Sequence, residues 1–518
     1  MKRISALFLC LTLIFTMFAG CGAGENTDES NRKTLVAGAT TGFFGAESLD
    51  VAHNWDGWIM SIYGISENLF RLDTDYVAQP WLVEGYEQLD GCTWRFTIKD
   101  NVYFSNGVKV TAQAVKDCFT RTYETNERAQ TTLAIDSIEA DGQTLTIKTP
   151  DENPTMLNDL CDPLLGIYDA GGTVDEVLGV SCTGPYKAVD FTAMTEVSMV
   201  KNEYYWGTQP KLDEVQLKIM DDANALQMAL QNGEIDMIAQ LDAQSADLFS
   251  DTEKYTVKGV TSSRSDFLMY NLNAPPGVDD PAVRRAIGYC IDRESFAKVV
   301  YNHYAQVCYG VYPDIFEFGK TDSLTLNVDR YDVDAAKQIL SDAGYTDTDG
   351  DGILDKDGVS LSFSVITYSY NTASIQLCDM LQSALAQVGI GMEITTYDVL
   401  DDYLQNGEFD IAVLSYAMAP IGTPGYFINM LFTSGASNNY GGYSNALVDT
   451  LADELSAEFN SERQTDIVLQ ICQEIIDDRP FDFVANQQLI CVWNNKVTGV
   501  EVNPSEYYLI TADLDIEE

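Results

Sequence analysis

Histidine is nearly absent from this chain: His53 and His303 are the only two among 518 residues. A histidine-rich metal site cannot be assembled from them, and a Ser-His-Asp arrangement has only those two to draw on. No H-E-x-x-H or G-x-S-x-G string occurs, so the usual zinc-peptidase and nucleophile-elbow chemistries lack their residues and no enzymatic activity is expected. Positive charge is also scarce, with 30 Lys plus Arg against 79 Asp plus Glu and a net charge of -49. Nucleic acid and anionic lipid head groups would be repelled by that balance, which excludes both as partners. No C-x-x-C occurs either. Beyond Cys10 and Cys21 nine cysteines remain, an odd number that cannot all pair within one chain, and Cys118, Cys290 and Cys472 fall in helical patterns. Small buried hydrophobes are therefore expected, not a disulfide framework or a metal knuckle. No cofactor is expected.

Long hydrophobic runs are missing after the first twenty residues. There, Lys2 and Arg3 precede an apolar stretch from Ile4 to Phe18 and the small pair Ala19-Gly20. At about 15 residues the stretch is short for a bilayer, which takes roughly 20 in a helix, and it reads as an export signal, residues 1–20. Phe18-Ala19-Gly20-Cys21 resembles a bacterial lipobox, and the resemblance implies a diacylglyceryl anchor on Cys21. Residues 21–33 carry no large apolar side chain after that cysteine and read as a flexible tether. The expected location is extracytoplasmic, anchored to the cell membrane by Cys21.

What is present is 46% hydrophobic residues, the content of a folded protein, at a length that calls for two or three domains. Residues 93–110 alternate at Trp94, Phe96 and Ile98 and turn at Asn106-Gly107; residues 135–149 alternate around Asp141-Gly142. Both spacings predict hairpins, with a helix capped by Thr111 between them. The block from about 67 to 175 reads as a small α+β subdomain.

A second feature is an internal echo. QNGEIDM ends a helical pattern at Gly233 and QNGEFDI ends another at Gly407, each followed by an apolar strand; five of the seven residues match. Helix, glycine stop and buried strand make half of a parallel-sheet unit, so two α/β lobes of similar design are expected. Other helices follow: Asp280-Pro281 opens one with Val283, Ala286, Ile287 and Cys290 inward, 334–343 stops at Gly344, and 375–388 stops at Gly389.

In order along the chain, KDNVYFSNGVKVTAQAVKDCF, CTGPYKAVDF, KNEYYWGTQPKLDEV, LQNGEIDM, DDPAVRRAIGYCIDRESF, AAKQILSDAGYTDTDGDGILDKDG and GGYSNALVDTL resemble family 5 of the solute-binding proteins of ABC importers, the group of oligopeptide, dipeptide and nickel receptors. The resemblance implies an α/β, two-lobed periplasmic-binding-protein-like fold of type II, cluster C, with the extra subdomain in lobe one. Lobe one is then 34–66, 176–266 and 488–518, its subdomain 67–175, and lobe two 267–487. It further implies a monomer that captures a short peptide or peptide-like solute between its lobes and hands it to a permease and its ATPase; a receptor for nickel or a nickel chelate is the alternative.

Peptide-binding relatives place an acid for the amino terminus in a W-x-x-D-Y-like segment. Here the segment is SYAMAPIGTPGYF, 415–427, with Tyr416 at the Trp position and Ala419 at the Asp position, so the usual anchor is missing. Candidate ligand contacts are Phe43, Phe44, Trp55, Trp58, Tyr368, Tyr370, Tyr416, Met418 and Tyr426, because aromatic walls with few polar groups suit a small-ligand pocket. Arg264 is a candidate carboxylate clamp, with a structural salt bridge as its other reading. His53 would ligate the metal if the ligand is a nickel chelate.

Residues 347–358, DTDGDGILDKDG, place Asp347, Asp349 and Asp351 at positions 1, 3 and 5 of a calcium loop, but position 12 is Gly358 instead of a bidentate Glu. The string is a weak calcium candidate; a turn followed by a hairpin around Lys356-Asp357-Gly358 is favoured.

Overall fold

The computed structural model describes residues 32–274, 277–326 and 330–517. The export signal, Cys21 and all but the end of the tether lie outside the described residues.

One sheet of eleven strands runs through the molecule, in the order Gly391–Tyr397, Ser362–Tyr368, Ile411–Ala417, Tyr255–Tyr270, Phe481–Asn494, Met237–Ile238, Thr34–Ala39, Glu214–Ile219, Glu196–Lys201 and Tyr186–Thr192, with Ala305–Val307 also on Phe481–Asn494. At its centre the two longest strands, Tyr255–Tyr270 and Phe481–Asn494, lie antiparallel. Their register is regular from Tyr255 opposite Asn494 to Thr261 opposite Gln488. It then shifts, so that Ser262, Ser263 and Arg264 stand against Gln487 before pairing resumes at Ser265 opposite Asn486. Extra residues on one strand bend it and raise its twist. The two halves of the fold meet at this bend.

The echo marks equivalent places on either side of it. Met237–Ile238 pairs parallel with Thr34–Ala39 and antiparallel with Phe481–Asn494; Ile411–Ala417 pairs parallel with Ser362–Tyr368 and antiparallel with Tyr255–Tyr270. Both preceding helices, Ala223–Asn232 and Asp401–Asn406, end on a left-handed glycine, Gly233 at φ +77 and Gly407 at φ +69. The shared Asp explains itself in space: Asp236 accepts the N–H of Val36 at 2.9 Å and Asp410 that of Ser364 at 2.7 Å, each in the adjacent parallel strand. Even the shared Asn and Glu pair alike, Asn232 to Glu234 at 3.3 Å and Asn406 to Glu408 at 3.2 Å.

Helices cover the sheet through their apolar stripes. Thr372–Gln387 buries Leu377, Cys378, Leu381, Ala384 and Leu385, an i, i+4 spacing, and Pro281–Tyr289 buries Val283, Ala286 and Ile287 under an Asp280 cap. In the other half, Leu226, Leu230, Ile235 and Phe249 pack on Ile490 and Val492. All nine described cysteines are free and eight are buried, as small hydrophobes; burial pushes the thiols of Cys118, Cys290, Cys308, Cys378 and Cys491 up to about 12.

The expected α+β block is a four-stranded antiparallel sheet, Val83–Gln88, Thr93–Ile98, Thr144–Lys148 and Ser137–Asp141, packed against helix Ala112–Thr125, whose Thr111 hydroxyl accepts the N–H of Ala114. The hairpin around Asp141-Gly142 forms as expected. The one expected over 93–110 does not: Thr93–Ile98 pairs with Val83–Gln88 and Thr144–Lys148, and the Asn106-Gly107 turn closes only a Tyr103–Lys109 bridge. With both edges of Thr93–Ile98 so occupied, no edge is left for 102–110, and the Gln143 side-chain amide bridges the carbonyls of Ile98, Lys99 and Val110.

Candidate functional site

A small, open cavity lies between the two halves. One wall comes from residues 54–58, Arg128, Asp162 to Leu164 and Tyr507; the other from Pro420 and Tyr426, in the segment after the strand Ile411–Ala417.

The 50–58 loop is held from the subdomain. Arg121 grips the Asp50 carboxylate with two hydrogen bonds, 2.9 and 2.6 Å, and the Asn126 amide ties the carbonyls of Ala52 and Asn54 at 3.1 and 2.9 Å. Asp56, buried at the start of helix Asp56–Ile62, accepts the N–H groups of Glu47 and Ser48 and meets His53 Nδ1 at 2.7 Å; burial raises its carboxyl despite these bonds. So fixed, the loop presents Trp55 and Trp58, whose rings lie edge to face at 6.4 Å, and Trp58 meets Tyr507 in the same way at 5.0 Å. Three aromatic faces result, one of them exposed.

Arg128 and Asp162 supply the charge. The Arg128 guanidinium lies over the Trp55 ring at 3.2 Å from its centroid and donates to the Asn54 carbonyl at 3.2 Å. Asp162 is 6% exposed, and its carboxylate accepts the N–H of Leu164 at 2.9 Å as the cap of the turn Pro163–Leu165. Burial pushes its pKa up; Arg128 and the Leu164 bond act against that. No ion pair joins either group to another described residue. Both charges therefore face the cavity without a protein counter-charge in contact.

The candidate residues separate accordingly. Trp55, Trp58 and Tyr426 line the cavity. Phe43 and Phe44, 4% and 0% exposed, are core side chains packed towards Tyr63, and Met418 at 0% is core as well; these three do not belong to the cavity wall, because the helical turn Thr41–Phe44 and the start of the 418–424 loop fold inward. His53 stands beside the wall, not in it, with its side chain 42% exposed. Tyr368, Tyr370 and Tyr416 gather apart from the cavity: Tyr368 and Tyr370 are 5.1 Å apart, and Tyr416 packs on Phe267 and Phe427. Arg264 is committed to Glu506, with hydrogen bonds at 3.0 and 3.4 Å to a carboxylate 7% exposed, so its ion-pair reading is the one seen. Asp347, Asp349 and Asp355 bring carboxylate oxygens within 4.8 Å of one another; Asp351 is not in that group. Their oxygens are occupied by the loop itself: Asp347 accepts from Gly350 and Gly352, Asp349 from Asp351, and Asp355 from Thr348. The hairpin Asp355–Lys356 with Val359–Ser360 follows, turning at left-handed Asp357 and Gly358.

Arg128, Asp162, Tyr507 and Pro420 were not singled out from sequence. Asp162-Pro163 carried the signal of an ordinary cap, and Arg128 follows a helix end with no motif around it.

Two halves hinged on a bent strand pair, with an aromatic and charged cavity between them, define a receptor that encloses a small solute. The model of the bacterial extracellular solute-binding proteins, family 5, matches residues 77–439. The nickel-binding protein NikA of Staphylococcus aureus is 28% identical over 455 residues, 88% of this chain and 89% of that one. Its crystal structure in complex with Ni(L-His)2 superposes with a TM-score of 0.81 at 26% identity, covering 94% of this chain and all of that one. A nickel ABC transporter structure from Bacillus halodurans gives 0.75 at 27% identity with the same coverage. AppA of Bacillus subtilis in complex with a nonapeptide shares the fold at 0.80 and 22% identity, covering 94% and 100%. The chain belongs to family 5 of the bacterial extracellular solute-binding proteins, the two-lobed receptors of ABC importers. Among the described residues no helix is long and apolar enough to cross a membrane.

Proposed function

We propose that this protein captures a compact, zwitterionic, peptide-like solute in the inter-lobe cavity and delivers it to the permease and ATPase of an ABC importer. One observation carries the reading: Arg128 and Asp162 line the same cavity and neither has a salt-bridge partner among the described residues. A ligand carboxylate fits the guanidinium fork, and a ligand ammonium fits the buried carboxylate, whose ionised form it would favour. On this reading the acid for the amino terminus belongs to lobe one, in keeping with Ala419 at the position where relatives carry Asp. The aromatic faces of Trp55, Trp58, Tyr426 and Tyr507 would hold the apolar part. The protein acts as a monomeric binding protein, not an enzyme, tethered outside the membrane by lipidated Cys21. Lobe one comprises 34–66, 176–266 and 488–518 with the 67–175 subdomain, and lobe two 267–487. The bend at Ser262–Arg264 opposite Gln487 lies close to both crossovers and supports that division.

Calorimetry of the full-length protein against di- and tripeptides tests the pairing. Arg128→Gln weakens binding at least about tenfold, the value of a lost charged hydrogen bond, but leaves a C-amidated peptide unaffected; Asp162→Asn does the same for the free amine and spares its N-acetylated form. Equal losses for blocked and free ligands would overturn the assignment.

A second reading is favoured by the likeness to nickel receptors and by His53. Its Nδ1 is engaged by Asp56, which orients Nε2 for a metal in the manner of a carboxylate–histidine pair. Titration with nickel plus histidine decides between them: tight binding lost in His53→Ala replaces the peptide by an amino-acid chelate of nickel.

A further inference from the structure

A second cavity, about 70 Å³, lies in lobe one behind the first. The partition between them is thin. Tyr507 lines the first cavity and Tyr508 the second, their rings edge to face at 5.8 Å; Asn68 lines the second while its amide N–H groups hold the carbonyls of Asp162, at 2.6 Å, and Leu160. The two cavities share no lining residue.

The chemistry of the second cavity is unbalanced. Arg71 sits between two rings, 4.9 Å from the centroid of Trp81 and 4.3 Å from that of Tyr508, and its side chain makes no hydrogen bond or ion pair with any described residue. The aromatic faces fix the guanidinium plane and leave its N–H edge for an acceptor that the protein does not provide. Ser61, Ser66 and Asn68 also line the cavity, at 3%, 4% and 3% exposure, and Ser61 Oγ, Ser66 Oγ and Asn68 Oδ1 have no hydrogen-bond partner. Three buried oxygens and one guanidinium edge thus converge on one cavity with hydrogen-bonding capacity to spare. The neighbouring acid makes no ion pair with Arg71: Glu67 is held by Trp81 Nε1 at 2.8 Å, Trp206 Nε1 at 2.9 Å and the Tyr205 hydroxyl at 3.2 Å. Asp513 is exposed at the rim.

We infer that this chamber is a second ligand site, for a small amino-acid-like zwitterion whose carboxylate takes the free edge of Arg71 and whose ammonium is accepted by Asn68 Oδ1 and the acidic rim. A simple anion satisfies only the guanidinium, and a simple cation only the acceptors. The site is independent of what the inter-lobe cavity binds.

Arg128→Gln full-length protein, with its cleft disabled, is titrated with glycine, alanine and glutamate, and separately with acetate and inorganic phosphate, following tryptophan fluorescence, since Trp81 is part of the site. A saturable response to an amino acid is expected, at least about tenfold weaker after a further Arg71→Met change and weakened to an intermediate degree by Arg71→Lys, which keeps the charge and loses the fork. Should Arg71→Met melt below the assay temperature, Arg71→Lys carries the comparison. The proposal is overturned if no amino acid gives a saturable response, if the response survives the Arg71 changes, or if acetate and phosphate bind as tightly as the zwitterions. A crystal soaked with the best-binding amino acid that shows only ordered water in the chamber overturns it as well.

Discussion

Asp159 offers a sharp test of the electrostatics around the cavity. It ends the short helix Met156–Asp159, is 8% exposed, and accepts hydrogen bonds from the Asn153 amide at 2.9 Å and the Thr155 hydroxyl at 3.1 Å. Burial raises its carboxyl from the ordinary 3.8 to about 7; those two bonds lower it and the Asp162 charge adds to the rise. The sign follows from proton counts. Below about pH 4 the group is protonated folded or unfolded, and its contribution is neutral. Between about pH 4 and 7 the unfolded chain releases the proton while the folded chain keeps it, so stability falls as pH rises. Above about pH 7 the loss is complete, and at about 1.4 kcal/mol per pH unit it approaches 4 kcal/mol. Asp159→Asn retains an oxygen for Asn153 and Thr155 and cannot ionise. The variant should therefore be more stable than the parent by up to about 4 kcal/mol at pH 8 and by less than about 1 kcal/mol at pH 4. Urea unfolding at the two pH values, followed by tryptophan fluorescence, measures the difference. A gain that is the same at both, or larger at pH 4, refutes the reasoning.

Two further outcomes concern Gly422, packed against Tyr76, and the Arg264–Glu506 pair. Gly422 has φ +77, and a Cβ there would meet the Tyr76 carbonyl at 2.6 Å, beside the 2.7 Å bond from the Asn158 amide to the Ile421 carbonyl. Gly422→Ala should weaken ligand binding by roughly tenfold, from about 1 kcal/mol of left-handed strain plus the clash, and enlarge the radius of gyration of the liganded protein in solution scattering; unchanged values for both would refute it. For Arg264, replacement by Met leaves Glu506 buried without its partner and should lower stability by about 2 kcal/mol in urea, while Arg264→Met with Glu506→Leu recovers most of the loss. Binding stoichiometry and carboxylate dependence stay as they were, which a clamp on the ligand would not allow.

The course of the chain was legible where local chemistry decides it. Glycine stops at 233, 344, 389 and 407 all have positive φ, the Asp280 and Thr111 caps form, and buried cysteines follow from the lack of a pairing pattern. The hairpin over 93–110 was misread because a good Asn-Gly turn says where the chain reverses but not which strand it returns to; the occupation of both edges of Thr93–Ile98, by Val83–Gln88 and Thr144–Lys148, settles that. At the cavity, Trp55, Trp58 and Tyr426 are the three expected aromatics that line its wall. Arg128, Asp162 and Tyr507 were not expected, since three distant segments bring them together and each looks ordinary in its own neighbourhood. Arg264 shows the same limit from the other side: its partner Glu506 is 242 residues on, and no local reading separates a clamp from a satisfied ion pair.

The echo is the case in which sequence held more than it first disclosed. Two seven-residue strings that agree in Gln, Asn, Gly, Glu and Asp are not repeats of a motif for binding; Asn, Gly, Glu and Asp serve the turn or the neighbouring strand. Gly takes the left-handed turn, Asn and Glu pair across it, and Asp fastens the next parallel strand through a backbone N–H. The likeness therefore belongs to the scaffold, where both lobes need the same solution at equivalent positions of the sheet. The cavity-lining residues have no such twin: Trp55, Arg128 and Asp162 form one wall, and the segment after Ile411–Ala417 contributes Pro420 and Tyr426. The two similar frames therefore differ in what they bring to the cavity: the charged groups Arg128 and Asp162 come from one wall, and Pro420 and Tyr426 from the other.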